Sequence, residues 1–160
     1  MKSLIYSFCA LAALLAFSCS NPPDYPIEPV IEFISLSKPS MQQGRNPNTD
    51  STLLTISFTD GDGDIGSDDS IAVFLVDMRD DFQQPGFRIP FVGQQGVGKG
   101  ISGEIYIALP TSCCYYEDGR SPCEQVPGAT DELGYELWIT DRAGNESNHI
   151  DVAPIILRCD

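Results

Sequence analysis

The residues whose chemistry is plainest are Asp60, Asp62 and Asp64, three carboxylates at alternating positions in Phe58-Thr59-Asp60-Gly61-Asp62-Gly63-Asp64-Ile65-Gly66. Hard cations such as Ca2+ take about six to eight oxygen ligands, and a turn with a carboxylate at every second position can aim several of them at one point. Glycines at 61, 63 and 66 let the backbone curl tightly around such an ion. An EF-hand loop needs glycine at its sixth place and a bidentate glutamate at its twelfth. Counted from Asp60, those places hold Ile65 and Ile71, and no helix signal flanks them, so the loop is of another kind. The competing reading is a solvated turn, because Asp and Gly also serve ordinary turns.

Cysteines form the second chemical set. Beyond residue 19 stand Cys113, Cys114, Cys123 and Cys159, an even number that in an oxidising compartment favours two disulfides. Sequence neighbours seldom bond each other, because disulfide geometry needs separated and suitably turned Cα atoms. Either Cys113 or Cys114 then takes Cys123, closing the loop from Tyr115 to Pro122, and the other ties Cys159 and the C-terminus to the body. The rival, a four-cysteine zinc site, lacks two separated Cys-x-x-Cys pairs.

Other signals fail on context. Gly93-Gln94-Gln95-Gly96-Val97-Gly98-Lys99 fits most of a P-loop, but residue 100 is Gly rather than Ser or Thr and Ile101 to Leu109 reads as a strand. His149 is the sole histidine, and no Ser or Cys nucleophile has a base beside it, so a hydrolytic triad has no support. Glu117 with Asp118, and Asp68 with Asp69, are acid pairs of the kind sugar chemistry uses, but on so acidic a chain such pairs read as solvated faces. Asp50-Ser51-Thr52 and Asp69-Ser70-Ile71 resemble a three-residue O-glycosylation pattern of Bacteroidota, too short to carry weight. No catalytic set is expected, and the chain reads as non-enzymatic.

At 160 residues the length fits one domain with enough material for a core. Nine Lys+Arg against 23 Asp+Glu disfavour nucleic acid and leave cations or basic partners. Residues 1–18 read as a secretory signal, with Lys2 as the basic start and Leu4 to Phe17 as an apolar run too short to span a membrane. Its end, Leu15-Ala16-Phe17-Ser18-Cys19, resembles a bacterial lipobox of the Bacteroidota kind, with Phe17 departing from the commonest pattern. That resemblance implies a diacylated Cys19 as the mature N-terminus and a lipid anchor on the outer membrane, at its periplasmic face or the cell surface. Residues 19–29 continue as a tether with four prolines, a composition that stays extended.

The elements that must position the aspartates are strands. Val30 to Leu36 opens the body; Leu54, Ile56 and Phe58 alternate with polar residues; Ile71 to Met78 is apolar on both faces except Asp77, as in a central strand. One irregular strand is expected at Phe87 to Val92, then regular ones at Gly103 to Leu109, Gly134 to Thr140 and Ile150 to Leu157, the last with Pro154 marking an edge or bulge. About seven strands separated by turn signals predict an all-β, two-sheet sandwich over residues 30–160.

Tyr135-Glu136-Leu137-Trp138-Ile139-Thr140-Asp141-Arg142-Ala143-Gly144-Asn145-Glu146-Ser147 resembles the last hairpin of bacterial immunoglobulin-like or fibronectin-III-like domains. The resemblance covers that hairpin closely and the rest only by strand pattern. It implies that Tyr135 is a corner tyrosine bonded back to a preceding loop. It also implies that the loop after Phe58 and the loop after Thr140 share one end of the sandwich, bringing Asp60, Asp62 and Asp64 near Asp141 and Asn145 around a structural Ca2+. Four carboxylates at one tip repel unless a cation neutralises them. The function expected is a binding or accessory module of an envelope assembly, with an envelope protein or a glycan as partner. The alternative is a carbohydrate-binding module, which needs Tyr115, Tyr116 and Trp138 as an exposed aromatic platform.

Overall fold

Alternating apolar and polar residues place one face of each main strand in the interior. The computed structural model describes residues 24–44, 50–93 and 100–160, so the leader, Cys19 and residues 94–99 of the P-loop-like stretch lie outside it. The strands are β1 (Val30–Leu36), β2 (Ser40–Gln42), β3 (Ser51–Asp60), β4 (Val73–Asp77), β5 (Phe82–Gln83), β6 (Ile101–Pro110), β7 (Thr130–Ile139) and β8 (Ile150–Arg158). They form a three-stranded sheet in the order β1-β3-β6 and a five-stranded sheet in the order β2-β8-β7-β4-β5. Among the described residues there is no helix, and the architecture is that of two packed sheets.

The core lies between those sheets. From one side come Ile31, Leu54, Ile56, Phe58, Ile107 and Leu109; from the other come Val73, Leu75, Leu133, Tyr135, Leu137, Ile139, Val152, Ile155 and Leu157. Each such side chain contributes about 1.5–3 kcal/mol by leaving water. Truncating a fully buried one, Leu137→Ala for instance, costs about 2–5 kcal/mol.

The strand reading holds for β1, β3, β4, β6 and β8 with ends shifted by a few residues. Pro154 lies in a bulge: Leu133 pairs with Ile155 and Tyr135 with Val152, leaving Ala153 and Pro154 against Gly134 alone. Four details differ. The expected strand from Phe87 to Val92 contracts to a single bridge between Phe87 and Val73, because Pro90 has no N–H to extend it. β7 begins at Thr130, since long β8 gives even its polar start a partner. β4 is one step from the edge, flanked by two-residue β5. Three-residue β2 runs parallel to β8 through Ser40 to Gln42, too short for any alternation to betray it.

The tether also departs from expectation. Its last residues are packed on the body, with Pro29 buried, Tyr25 half-buried and the Pro26 carbonyl accepting the Gly61 N–H at 2.7 Å. Among the described residues, contact with the body thus extends N-terminally of Val30 as far as Tyr25.

Candidate metal centre

Two strands in opposite sheets deliver the site by the same rule. On β3 the inward residues are Leu54, Ile56 and Phe58, and period-two alternation carries Asp60 to the same face. On β7 they are Leu133, Tyr135, Leu137 and Ile139, and two residues further Asp141 follows. Asp60 has no exposed surface and Asp141 is 8 % exposed. Asp62 and Asp64, half-buried on the loop that follows β3, complete the group. One ligand oxygen from each of the four lies within 4.8 Å of the others, which is the span across a cation with ligands at about 2.4 Å.

Hydrogen bonds brace the loop backbone around the group. Asp60 Oδ2 accepts the Asp64 N–H at 2.8 Å, closing the loop on itself. Arg142 donates from Nη1 to the carbonyls of Ile65 and Gly66 at 3.2 and 2.9 Å, and its guanidinium lies 4.8 Å from the Phe91 ring centre. Gly66 takes φ +86°, and a Cβ there would run into the Pro90 carbonyl, so only glycine lets the loop fold under residues 89–90. Arg142 was not singled out from the sequence. Its place directly after Asp141 was the available signal.

Two of the carboxylates are under-satisfied. Asp60 Oδ1 and Asp64 Oδ1 are buried without a hydrogen-bond partner, a state that costs free energy unless something else meets them. The Asp60 carboxyl is pushed up to about 6, first by burial and then by the charges of Asp62 and Asp64, against the Asp64 N–H that favours its ionised form. Asp64 is also raised, by burial first and by Asp141 and Asp62 next, with Arg142 opposing. A buried cluster of four aspartates with orphaned oxygens could hold a metal ion, and these residues fit one.

Asn145, also expected among the ligands, lies beside Asp141. Its backbone N–H and side-chain Nδ2 donate to Asp141 Oδ1 and Oδ2 at 2.8 and 2.7 Å. Its amide aims Asp141 and leaves each carboxylate oxygen a further lone pair.

At the cysteine-bearing loop the open choice is resolved: Cys113 bonds Cys123 and Cys114 bonds Cys159, with Cα separations of 4.5 and 5.9 Å. Arg79 fastens that loop to the sheet. It meets Asp77 through Nε and Nη2 at 3.0 and 2.6 Å, and through Nη1 meets Asp131 at 2.5 Å and the Cys113 carbonyl at 3.0 Å.

The three platform aromatics are not brought together. Tyr115 carries the Arg79 guanidinium 4.4 Å from its ring centre and donates its hydroxyl to Asp80. Tyr116 donates to the Glu124 carbonyl beneath Arg120. Trp138 is stacked with Phe74 at 5.5 Å and with His149 at 4.5 Å. His149 in turn sits between Glu136 and Glu146, and those carboxylates raise its pKa. Asp118 is paired with Arg120. Tyr135 is 4 % exposed, and among the described residues its hydroxyl makes no hydrogen bond to a preceding loop.

No protein-family model matches the chain, and neither do any of the curated proteins or solved structures with which it was compared.

Proposed function

We propose that this chain is a non-enzymatic envelope lipoprotein: an immunoglobulin-like module, held through Cys19 to a membrane and fastened by one structural Ca2+, that serves as a binding or accessory part of an outer-membrane assembly. The observation that carries the calcium reading is the pair of buried, unpartnered oxygens on Asp60 and Asp64 within a four-carboxylate group. The donors are all oxygen, which selects a hard cation over zinc or copper. Mg2+ prefers one or two carboxylates and keeps its waters, whereas Ca2+ accepts many carboxylates in flexible geometry. The ligands face the core and close two strand ends, so the ion acts as a fastening and not as a Lewis acid offered to substrate.

The strand order supports the immunoglobulin-like reading. β1-β3-β6 against β8-β7-β4 follows the A-B-E and G-F-C orders of that sandwich, with β5 extending the second sheet beside β4. The envelope address is supported by the leader and by the two disulfides, which belong to an oxidising compartment.

Thermal unfolding with Ca2+ and with EDTA tests the ion. Ca2+ at about 100 times its Kd adds about 2.7 kcal/mol, which is on the order of 10 °C for a body of this size. An unchanged Tm and no heat in calorimetry would remove the calcium reading. Mass spectrometry of the mature N-terminus tests the anchor separately, since an N-terminal peptide carrying unmodified Cys19 would contradict it.

A further inference from the structure

We propose that residues 25–29 form a strap whose docking is coupled to occupancy of the four-aspartate centre, so that calcium fixes the angle at which the folded body leaves its N-terminal segment. This rests on the calcium reading above and adds a consequence that the reading alone does not require.

The argument begins with one peptide that has two sides. Inward, Asp60 turns its wholly buried carboxylate into the centre, where Oδ1 has no hydrogen-bond partner. Outward, the next residue, Gly61, gives its N–H to the Pro26 carbonyl at 2.7 Å. The approach there is backbone against backbone: a Cβ on Gly61 would overlap the carbonyl oxygens of Tyr25 and Pro26. Gly100 closes the same contact, since a Cβ on it would lie 2.7 Å from the Asp60 carbonyl oxygen and 2.8 Å from Tyr25 Cδ2. Strap, Gly100 and the Asp60–Gly61 peptide form one layer directly over the site.

Such a layer has little slack. Without the ion, like charges on Asp60, Asp62, Asp64 and Asp141 push the turn outward, against the Asp60 Oδ2 to Asp64 N–H bond and the Arg142 N–H on the Asp64 carbonyl at 3.3 Å. A shift of the turn moves the Gly61 N–H away from Pro26, and glycine has no side chain with which to keep hold. With the ion bound, the 60–64 backbone is fixed and the strap keeps its seat. By linkage, whatever factor calcium adds to docking, a docked strap adds to calcium affinity.

Amide hydrogen exchange on the full chain in detergent, with excess Ca2+ and with EDTA, reads this directly. The Gly61 amide should exchange at least about fivefold more slowly with calcium, measured relative to the Val126 amide, which is bonded to the Cys159 carbonyl in another part of the fold. Gly61→Ala, which expels the strap and leaves all four carboxylates, should weaken calcium binding by a similar factor in calorimetry. Tyr25→Ala, the milder lesion, should weaken it less and serves if Gly61→Ala does not fold. If calcium binds with measurable heat while the Gly61-to-Val126 exchange ratio stays the same and the variants bind as tightly as the parent, the strap coupling is wrong and the centre stands. If no heat of calcium binding appears, the calcium reading fails and the coupling falls with it.

Discussion

Asp60 and Asp141 end the inward faces of β3 and β7, two strands in opposite sheets, and their carboxylates belong to one cluster at the tip of the sandwich. Each stands two residues beyond a buried isoleucine or phenylalanine, where a further apolar residue would have closed the core. The fold thus places acids at positions that alternation alone would give to the interior, and a cation is the economical way to satisfy them.

Replacing one of these acids should separate charge relief from ion binding. In Asp60→Asn the amide oxygen can take the Asp64 N–H while its NH2 turns to the remaining carboxylates. Metal-free, the variant should be more stable than the parent at pH 7.5 by about 1–3 kcal/mol, because a buried charge among like charges is gone. Its calcium-induced rise in Tm should fall to less than about a third of the parent's. Melting curves in EDTA and in Ca2+ check both, and a variant that is destabilised without metal would refute the repulsion argument.

The pH response follows from the same residue. Asp60 is raised from 3.8 to about 6, so between these values the folded state holds the proton that the unfolded chain releases. The contribution is fully present below pH 3.8 and is lost as pH rises through about 6, on the order of 3 kcal/mol for a shift of that size. In EDTA the parent should therefore lose stability relative to Asp60→Asn between about pH 4 and 7. Calcium, which competes with that proton, should bind more tightly over the same interval. Chemical denaturation across that range measures the difference, and parallel curves for parent and variant would exclude a raised Asp60.

Much of this was legible before any coordinates. Alternation marked the inward faces of β3 and β7, and the aspartate spacing marked the loop; what brought them together was topology, borrowed from the resemblance of the Tyr135 to Ser147 hairpin. The part Asn145 plays was not legible, because an amide two to four residues from a carboxylate can ligate an ion or hold the carboxylate, and sequence spacing does not distinguish them. The strap at Tyr25 and Pro26 was hidden because a proline-rich segment carries no periodicity, and its seat is a backbone contact made possible by the missing side chain of Gly61. β2 pairs through its backbone over three residues, which leaves no pattern to read.

The longer disulfide should matter for stability. Cys114–Cys159 encloses 45 residues of sequence separation and ties β8 to the loop after β6, with both cysteines buried. Cys114→Ala with Cys159→Ala should cost about 2–5 kcal/mol, chiefly by freeing the unfolded chain. Denaturant midpoints measure it. A loss under about 1 kcal/mol would mean that Cys113–Cys123 and the Arg79 clamp already fix that loop.

Arg79 should prove as costly to remove as a core residue. Asp77 is 1 % exposed and meets both Nε and Nη2 of the guanidinium. Arg79→Met leaves that buried carboxylate without its counter-charge, with the residue 79 backbone N–H still donating to it, a loss of about 3–5 kcal/mol. Adding Asp77→Asn should restore more than half, since the penalty comes from the stranded charge. Additive losses in the double variant would instead assign the effect to packing of the Arg79 stem on Tyr115.

Asn145 gives the sharpest test of which groups ligate and which only aim. Its Nδ2 reaches Asp141 Oδ2 at 2.7 Å, while its backbone N–H independently holds Oδ1 at 2.8 Å. Asn145→Ala removes the first bond and keeps the second, so Asp141 should remain in place with greater freedom. Calcium affinity should fall about tenfold, the lower end of the loss seen when an outer-shell partner of a ligand is removed, while stability in EDTA changes by less than about 1 kcal/mol. Asp64→Asn, which replaces a proposed ligand, should weaken binding much further under the same calorimetric conditions. Equal losses for the two variants would make Asn145 a ligand in its own right, and would require the 140–145 turn to rearrange around the ion.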